Sequence, residues 1–139
     1  MSHLIERLTE DHVGIVSALE HVKESGIASV DGKQKLFSVK AHLIAHLRRE
    51  DDELYPMLKR AGEMDVNLKR TIDIFAKDME IVSSLAMGFF DKYSQGSTGL
   101  DLARDFGKLY TILKTRIRKE EDILYLAYTQ VSSREPIGL

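Results

Sequence analysis

The chain has no cysteine and no tryptophan. Without thiols there are no disulfides, no zinc–thiolate or iron–sulfur centres and no cysteine nucleophile, so a metal here has only histidine and carboxylate to bind it. Proline is nearly absent as well: Pro56 and Pro136 are the only two in 139 residues, which leaves long helices uninterrupted. Neither sign of charge dominates. Lys and Arg number 20 against 22 Asp and Glu, a formal net charge of −2, so the basic field of a nucleic-acid-binding protein is missing and no nucleic acid partner is expected. No apolar run approaches the ~20 residues of a membrane span. The opening Met1-Ser-His-Leu-Ile-Glu-Arg7 turns charged at once, so neither signal peptide nor membrane anchor is expected, and the protein reads as cytoplasmic.

What is present is helical periodicity. Ile5, Leu8, His12, Ile15, Leu19 and Val22 recur every three or four residues over about residues 2–25, and Gly26 supplies a stop. After a short connection with Asp31 as the expected N-cap, a second helix runs to about Arg60, and Ala61-Gly62 breaks it. Its stripe is Leu36, Val39, Leu43, His46, Glu50, Leu54 and Met57, and Pro56 is expected to kink its last turn. A third helix, about residues 65–93, carries Leu68, Ile72, Phe75, Met79, Val82, Ala86 and Phe89 and no histidine. Ser94 to Gly99 has the composition of a turn. The fourth helix, 100–131, places Leu102, Phe106, Leu109, Leu113, Ile117, Glu120, Leu124 and Ala127 inward. Four amphipathic helices with short links predict an all-α, up-down-up-down antiparallel four-helix bundle over residues 1–131, followed by a loosely held tail at 132–139.

Four polar residues interrupt those stripes: His12, then His46 and Glu50 one turn apart, and Glu120. A buried carboxylate without a cation, metal or hydrogen bonds costs several kcal/mol, so something in the interior must answer them. An internal repeat sharpens the question. Arg48-Arg-Glu-Asp-Asp-Glu-Leu-Tyr55 is echoed by Arg118-Lys-Glu-Glu-Asp-Ile-Leu-Tyr125. In that register Glu50 pairs with Glu120, but His46 pairs with Arg116. Helices from two pseudo-equivalent halves can present ligands to a central metal pair, and His-x-x-x-Glu sets both donors on one face.

His12 together with His46-Leu-Arg-Arg-Glu50-Asp-Asp-Glu-Leu-Tyr-Pro56 resembles the bacterial hemerythrin-like domains of the histidine-histidine-glutamate cation-binding family, and the likeness extends over about residues 2–130. The resemblance implies a four-helix bundle around a non-haem di-iron centre, used in oxygen binding, sensing, or iron and nitric oxide handling. Carried over residue by residue, it makes His12, His46, Glu50 and Glu120 metal ligands. Two positions depart from the pattern. The third-helix histidine of the family falls at Asp78, which retains the ability to ligate, with Met79 and Glu80 as alternative site-facing residues. The fourth-helix histidine falls at Arg116, whose guanidinium has no lone pair to give.

Arg116 instead offers a positive charge to Glu50 and Glu120, the charge that iron supplies in the family. Arg116-x-x-x-Glu120-Glu121 also resembles the ending of the regulator-of-sigma-D and AlgQ family, bundles that act by binding a sigma factor. Three functions follow: a non-catalytic iron-binding domain in oxygen or iron sensing or storage, with a degenerate site; a metal-free regulatory module that binds a protein partner in signalling or transcription, with Arg116 replacing the metal's charge; and a small di-iron oxidase or nitric oxide reductase. His42, one turn before His46, reads as a flanking or surface histidine, and His3 and His21 as exposed. Tyr55 and Tyr125 close the repeated motif within reach of the carboxylates.

Overall fold

The computed structural model describes residues 3–94 and 99–134, and all of its regular structure is helical. Helix α1 spans His3–Ser25 and α2 spans Val30–Arg49. The second rod continues through a π-helical turn, Glu50–Leu54, into α3, Tyr55–Gly62. Helix α4 is Val66–Ser94. The last rod is α5, Gly99–Lys119, a second π-helical turn, Glu120–Leu124, and α6, Tyr125–Arg134. The expected turn at 94–99 and the expected tail fall largely outside the described residues; Ser132 to Arg134 continue α6.

The four rods pack antiparallel, as the order of the contacts dictates. Leu4, Ile5 and Leu8 at the start of α1 meet Leu54 and Leu58 at the end of the second rod and Leu124 and Tyr128 at the end of the fourth. Leu19 and Val22 at its other end meet Leu36, Val39, Leu102 and Phe106. Two apolar cores therefore fill the two ends of one bundle. The polar interruptions read from the sequence lie between them. No helix among the described residues is long and apolar enough to cross a membrane.

The first connection is tight because of two glycines and a serine. Gly26 ends α1 with φ 86°, a left-handed conformation that costs a side chain dearly. Ser29, not Asp31, is the N-cap of α2: its hydroxyl accepts the Gly32 N–H at 2.9 Å and donates to the Gly26 carbonyl at 2.7 Å. Asp31 is instead inside the first turn, paired with His21 Nε2 at 2.8 Å. A Cβ at Gly32 would collide with the Gly26 carbonyl oxygen.

The π-turns are what the periodicity did not foresee. In a regular α-helix the residue five beyond Glu50 points about 140° away from it, and one extra residue in the turn takes back about 100°. Tyr55 and Tyr125 thereby swing onto the inner face, 6% and 2% exposed. The stripes shift with them: Leu58 and Tyr128 are buried where Met57 and Ala127 were expected. Pro56 does not cause the bulge, because the second π-turn has the same register and is followed by Leu126 instead.

Gly32→Ala should lower the folding free energy by about 1–3 kcal/mol through that backbone collision. A shift of the urea midpoint to lower concentration, with an unchanged slope, is the expected result.

Candidate metal centre

Three of the four rods contribute to a polar cluster at the bundle's waist. His12 comes from the middle of α1, His46 from the last turn of α2, and Glu50 and Glu120 each open a π-turn. All four are at most 3% exposed. One ligand atom from each lies within 4.8 Å of all the others. His12 Nε2 is 3.0 Å from His46 Nε2 and 2.8 Å from Glu120 Oε1, while His46 Nε2 is 3.4 Å from Glu50 Oε2. Tyr125 adds its hydroxyl, which donates to Glu50 Oε2 at 2.8 Å.

Carboxylates behind the rings fix which nitrogen faces inward. Glu121 Oε2 lies 2.7 Å from His12 Nδ1, and Asp11 Oδ2 lies 3.1 Å from His46 Nδ1. A carboxylate accepts, so each Nδ1 donates outward and Nε2 is the nitrogen that faces the centre: it donates toward Glu120 in the ion-free protein, and on losing that proton it would offer a lone pair to an ion, the arrangement that orients histidine ligands. Arg49 Nη1 holds Asp11 in turn at 2.7 Å. Sequence reasoning missed Asp11, Arg49 and Glu121. The signal was adjacency: Asp11 precedes His12 but serves His46, and Glu121 follows Glu120 but serves His12.

Arg116 forms the other half of the site. It is 4% exposed. Its Nε donates to Glu120 Oε2 at 3.1 Å, Nη1 to Asp78 Oδ2 at 2.8 Å and to the Phe75 carbonyl at 3.1 Å, and Nη2 to the Tyr55 hydroxyl at 3.0 Å. The guanidinium also lies 4.9 Å from the centre of the Phe75 ring. Arg116 thus faces the core, displacing Ile117 from the inner position, but it bonds to Glu120 through one nitrogen rather than as a bidentate fork, and it does not reach Glu50. Asp78 stands on the far side of Arg116, half-exposed, while Met79 takes the inward position on α4 and Glu80 is exposed. Tyr55 serves Arg116 and not a carboxylate. His42 is exposed on the flank of α2.

The electrostatics separate the two carboxylates. Burial raises the Glu120 carboxyl, yet hydrogen bonds from His12 and His46 and the charge of Arg116 overcome it and hold the group ionised, far below the usual range. Burial and then the neighbouring Glu120 charge push Glu50 up to about 7, against the pull of His46. For His46 burial acts downward, but Glu120 and Glu50 outweigh it and lift the imidazole to about 10.

These residues fit one cation. Five atoms that can offer a lone pair once deprotonated, His12 Nε2, His46 Nε2, Glu50 Oε2, Glu120 Oε1 and Tyr125 Oη, converge, with neighbouring pairs 2.8–3.5 Å apart. Glu50 Oε1 is buried with no hydrogen-bond partner among the described residues. Neutral imidazoles and carboxylates are the donor set of iron, zinc and manganese. They do not fit two: the position that the repeat pairs with His46 holds Arg116, a cation that cannot be exchanged.

Residues 3–128 match the family described as Hemerythrin HHE cation binding domain, and the chain belongs to that family. Members are in general non-catalytic carriers and sensors. The buried His12, His46, Glu50 and Glu120 form a degenerate version of its metal-binding site. No curated protein matches the chain, nor does any solved structure.

Two outcomes follow for protein kept in chelator. Arg116→Leu strands Glu120 and should cost about 3–5 kcal/mol in urea unfolding; an unchanged midpoint contradicts the role of Arg116. The pH dependence has a definite sign. His46, raised to about 10, contributes stability that is full below its unfolded value of 6.5 and is lost as pH rises through about 10. Glu50, raised to about 7, favours its neutral form, so stability also falls as pH climbs from 4.5 through about 7. The ion-free protein should therefore weaken steadily between about pH 5 and 10, and Glu50→Gln should remove the lower part of that decline.

Proposed function

We propose that this protein is a single-ion hemerythrin-like module that binds iron through His12, His46, Glu50 and Glu120 and acts in sensing or storing iron or in responding to a small ligand of it. The observation that carries the reading is the buried, unpartnered Glu50 Oε1 beside four converging donor atoms. When bound, iron supplies a redox-active Lewis-acid centre. The chain's own residues do the rest. Asp11 and Glu121 orient the two imidazoles, Tyr125 and Arg116 position the carboxylates, and the apolar cores at each end keep water out. A cavity of about 20 Å³ beside His12 and His46, walled by Ile15, Leu43, Met79 and Val82, leaves room for nothing much larger than a water molecule.

Asp78, a ligand by resemblance to the family, is assigned here to holding Arg116. A cytoplasmic location and a protein partner in signalling or transcription complete the proposal; neither a nucleic acid nor a membrane is invoked.

The alternative is the metal-free regulatory bundle, and one observation favours it: Arg116 is fully engaged and already neutralises Glu120. Element analysis of protein grown with added iron, and separately with zinc, distinguishes the two. About one equivalent of metal per chain, lost in His46→Ala, is the expected result. Less than about a tenth of an equivalent from both growths leaves the metal-free module.

A further inference from the structure

We propose that Tyr125 is itself a ligand: its phenolic oxygen is a fifth donor that completes the His12, His46, Glu50 and Glu120 set and biases the site toward a hard trivalent ion of the ferric class. The inference rests on reading that cluster as an ion site.

The geometry puts this oxygen among the donors rather than behind them. It lies 2.8 Å from Glu50 Oε2, 3.1 Å from Glu120 Oε1, 3.1 Å from His12 Nε2 and 3.3 Å from His46 Nε2. A phenol has one hydrogen, and Glu50, the nearest acceptor, takes it. The oxygen's lone pairs therefore share one small volume with Glu120 Oε1 and the Nε2 atoms of the two rings. Nor can the side chain swing aside. Its ring stacks on His12 with centroids 5.3 Å apart and planes 13° from parallel, and the residue is 2% exposed.

The molecule contains its own comparison. Tyr55 is the repeat mate of Tyr125 and is turned inward by the matching π-turn. Its oxygen accepts from Arg116 Nη2 at 3.0 Å, so in that half of the bundle the tyrosine's lone pair is directed at a buried cation. Each tyrosine crosses to the opposite half, Tyr55 to Arg116 and Tyr125 to His46 and Glu50. By this pseudo-symmetry Tyr125 addresses the cation position of the opposite half, at His46 and Glu50, where no guanidinium is covalently fixed.

The donor chemistry then selects the ion. Two carboxylates and a phenolate place three negative charges around it, all on hard oxygen, and no sulfur is among the five converging atoms; the Met79 thioether only walls the cavity beside them. As the metal bonds form, the phenolic proton and the Nε2 proton of His46 are released to bulk solvent, and no electron changes hands.

Ferric ion and zinc are the probes, added separately to the ion-free full chain, with bound metal and visible absorption both recorded. A phenolate bound to ferric ion gives an intense visible charge-transfer colour. Wild type should bind ferric ion and take on that colour, Tyr125→Phe should lose the colour, and Tyr55→Phe, the control in the other half, should keep it. Ferric binding without colour in the wild type, or colour that persists in Tyr125→Phe, overturns the tyrosine ligand and leaves the four-residue site standing. Binding of zinc but not ferric ion likewise overturns the inference alone. If neither ion binds, the inference falls together with the single-ion reading.

Discussion

Two carboxylates sealed inside an apolar bundle demand positive charge, and the rest of this structure is arranged to supply it. Glu120 is the pivot because its two oxygens face different cations. Oε2 accepts from Arg116, and Oε1 faces His12, His46 and Tyr125. Glu50 has no such second partner and keeps one oxygen bare. The cost of an unpaired buried charge is large enough to unfold a domain of this size. That cost explains why Arg116, His12 and His46, the outlying acids Asp11, Asp78 and Glu121, and two tyrosines gather around it.

Repetition is the economical route to such a site. The two π-turns begin at the two carboxylates, and each brings a tyrosine hydroxyl inward five residues later. A π-turn is a weaker backbone arrangement than the α-helix it interrupts, so its appearance twice in one register points to a local function. Here the function is visible: each hydroxyl addresses the cation position of the opposite half. The two halves have nonetheless diverged at His46 and Arg116, so a common backbone now holds one exchangeable position and one fixed guanidinium.

The helices, their antiparallel order and the inward placement of His12, His46, Glu50 and Glu120 were legible because each obeys the 3.6-residue period. For Arg116 the sequence pointed two ways: the repeat pairs it with inward His46, while the helical stripe placed Ile117 inward instead. What escaped was whatever departs from the period or crosses between helices. Leu58 and Tyr128 lie one residue beyond the expected stripe because periodicity assumes that no residue is inserted. Ser29 displaced Asp31 as the cap, since the close approach of Gly26 and Gly32 decides where the helix can start, and that approach is tertiary. Asp11 and Glu121 look like ordinary surface acids in sequence; only helix packing shows that each supports a histidine on another rod.

The fixed cation also bears on what an ion does here. Arg116 ties α4, through Asp78 and the Phe75 carbonyl, to Tyr55 of the second rod and Glu120 of the fourth. Those bonds cross-link three of the four rods with no ion involved, and two apolar cores lie on either side of them. In a small metal-dependent fold the ligands have no other reason to come together, so binding and folding are one event. In this bundle the rods are already joined, and the energy of ion binding is added to a formed structure as ordinary linkage. An ion at the His46 and Glu50 position would then change local charge and hydrogen bonding at the waist without deciding whether the chain folds. That separation suits a protein whose ion is a signal or a cargo better than one whose ion is a structural pin.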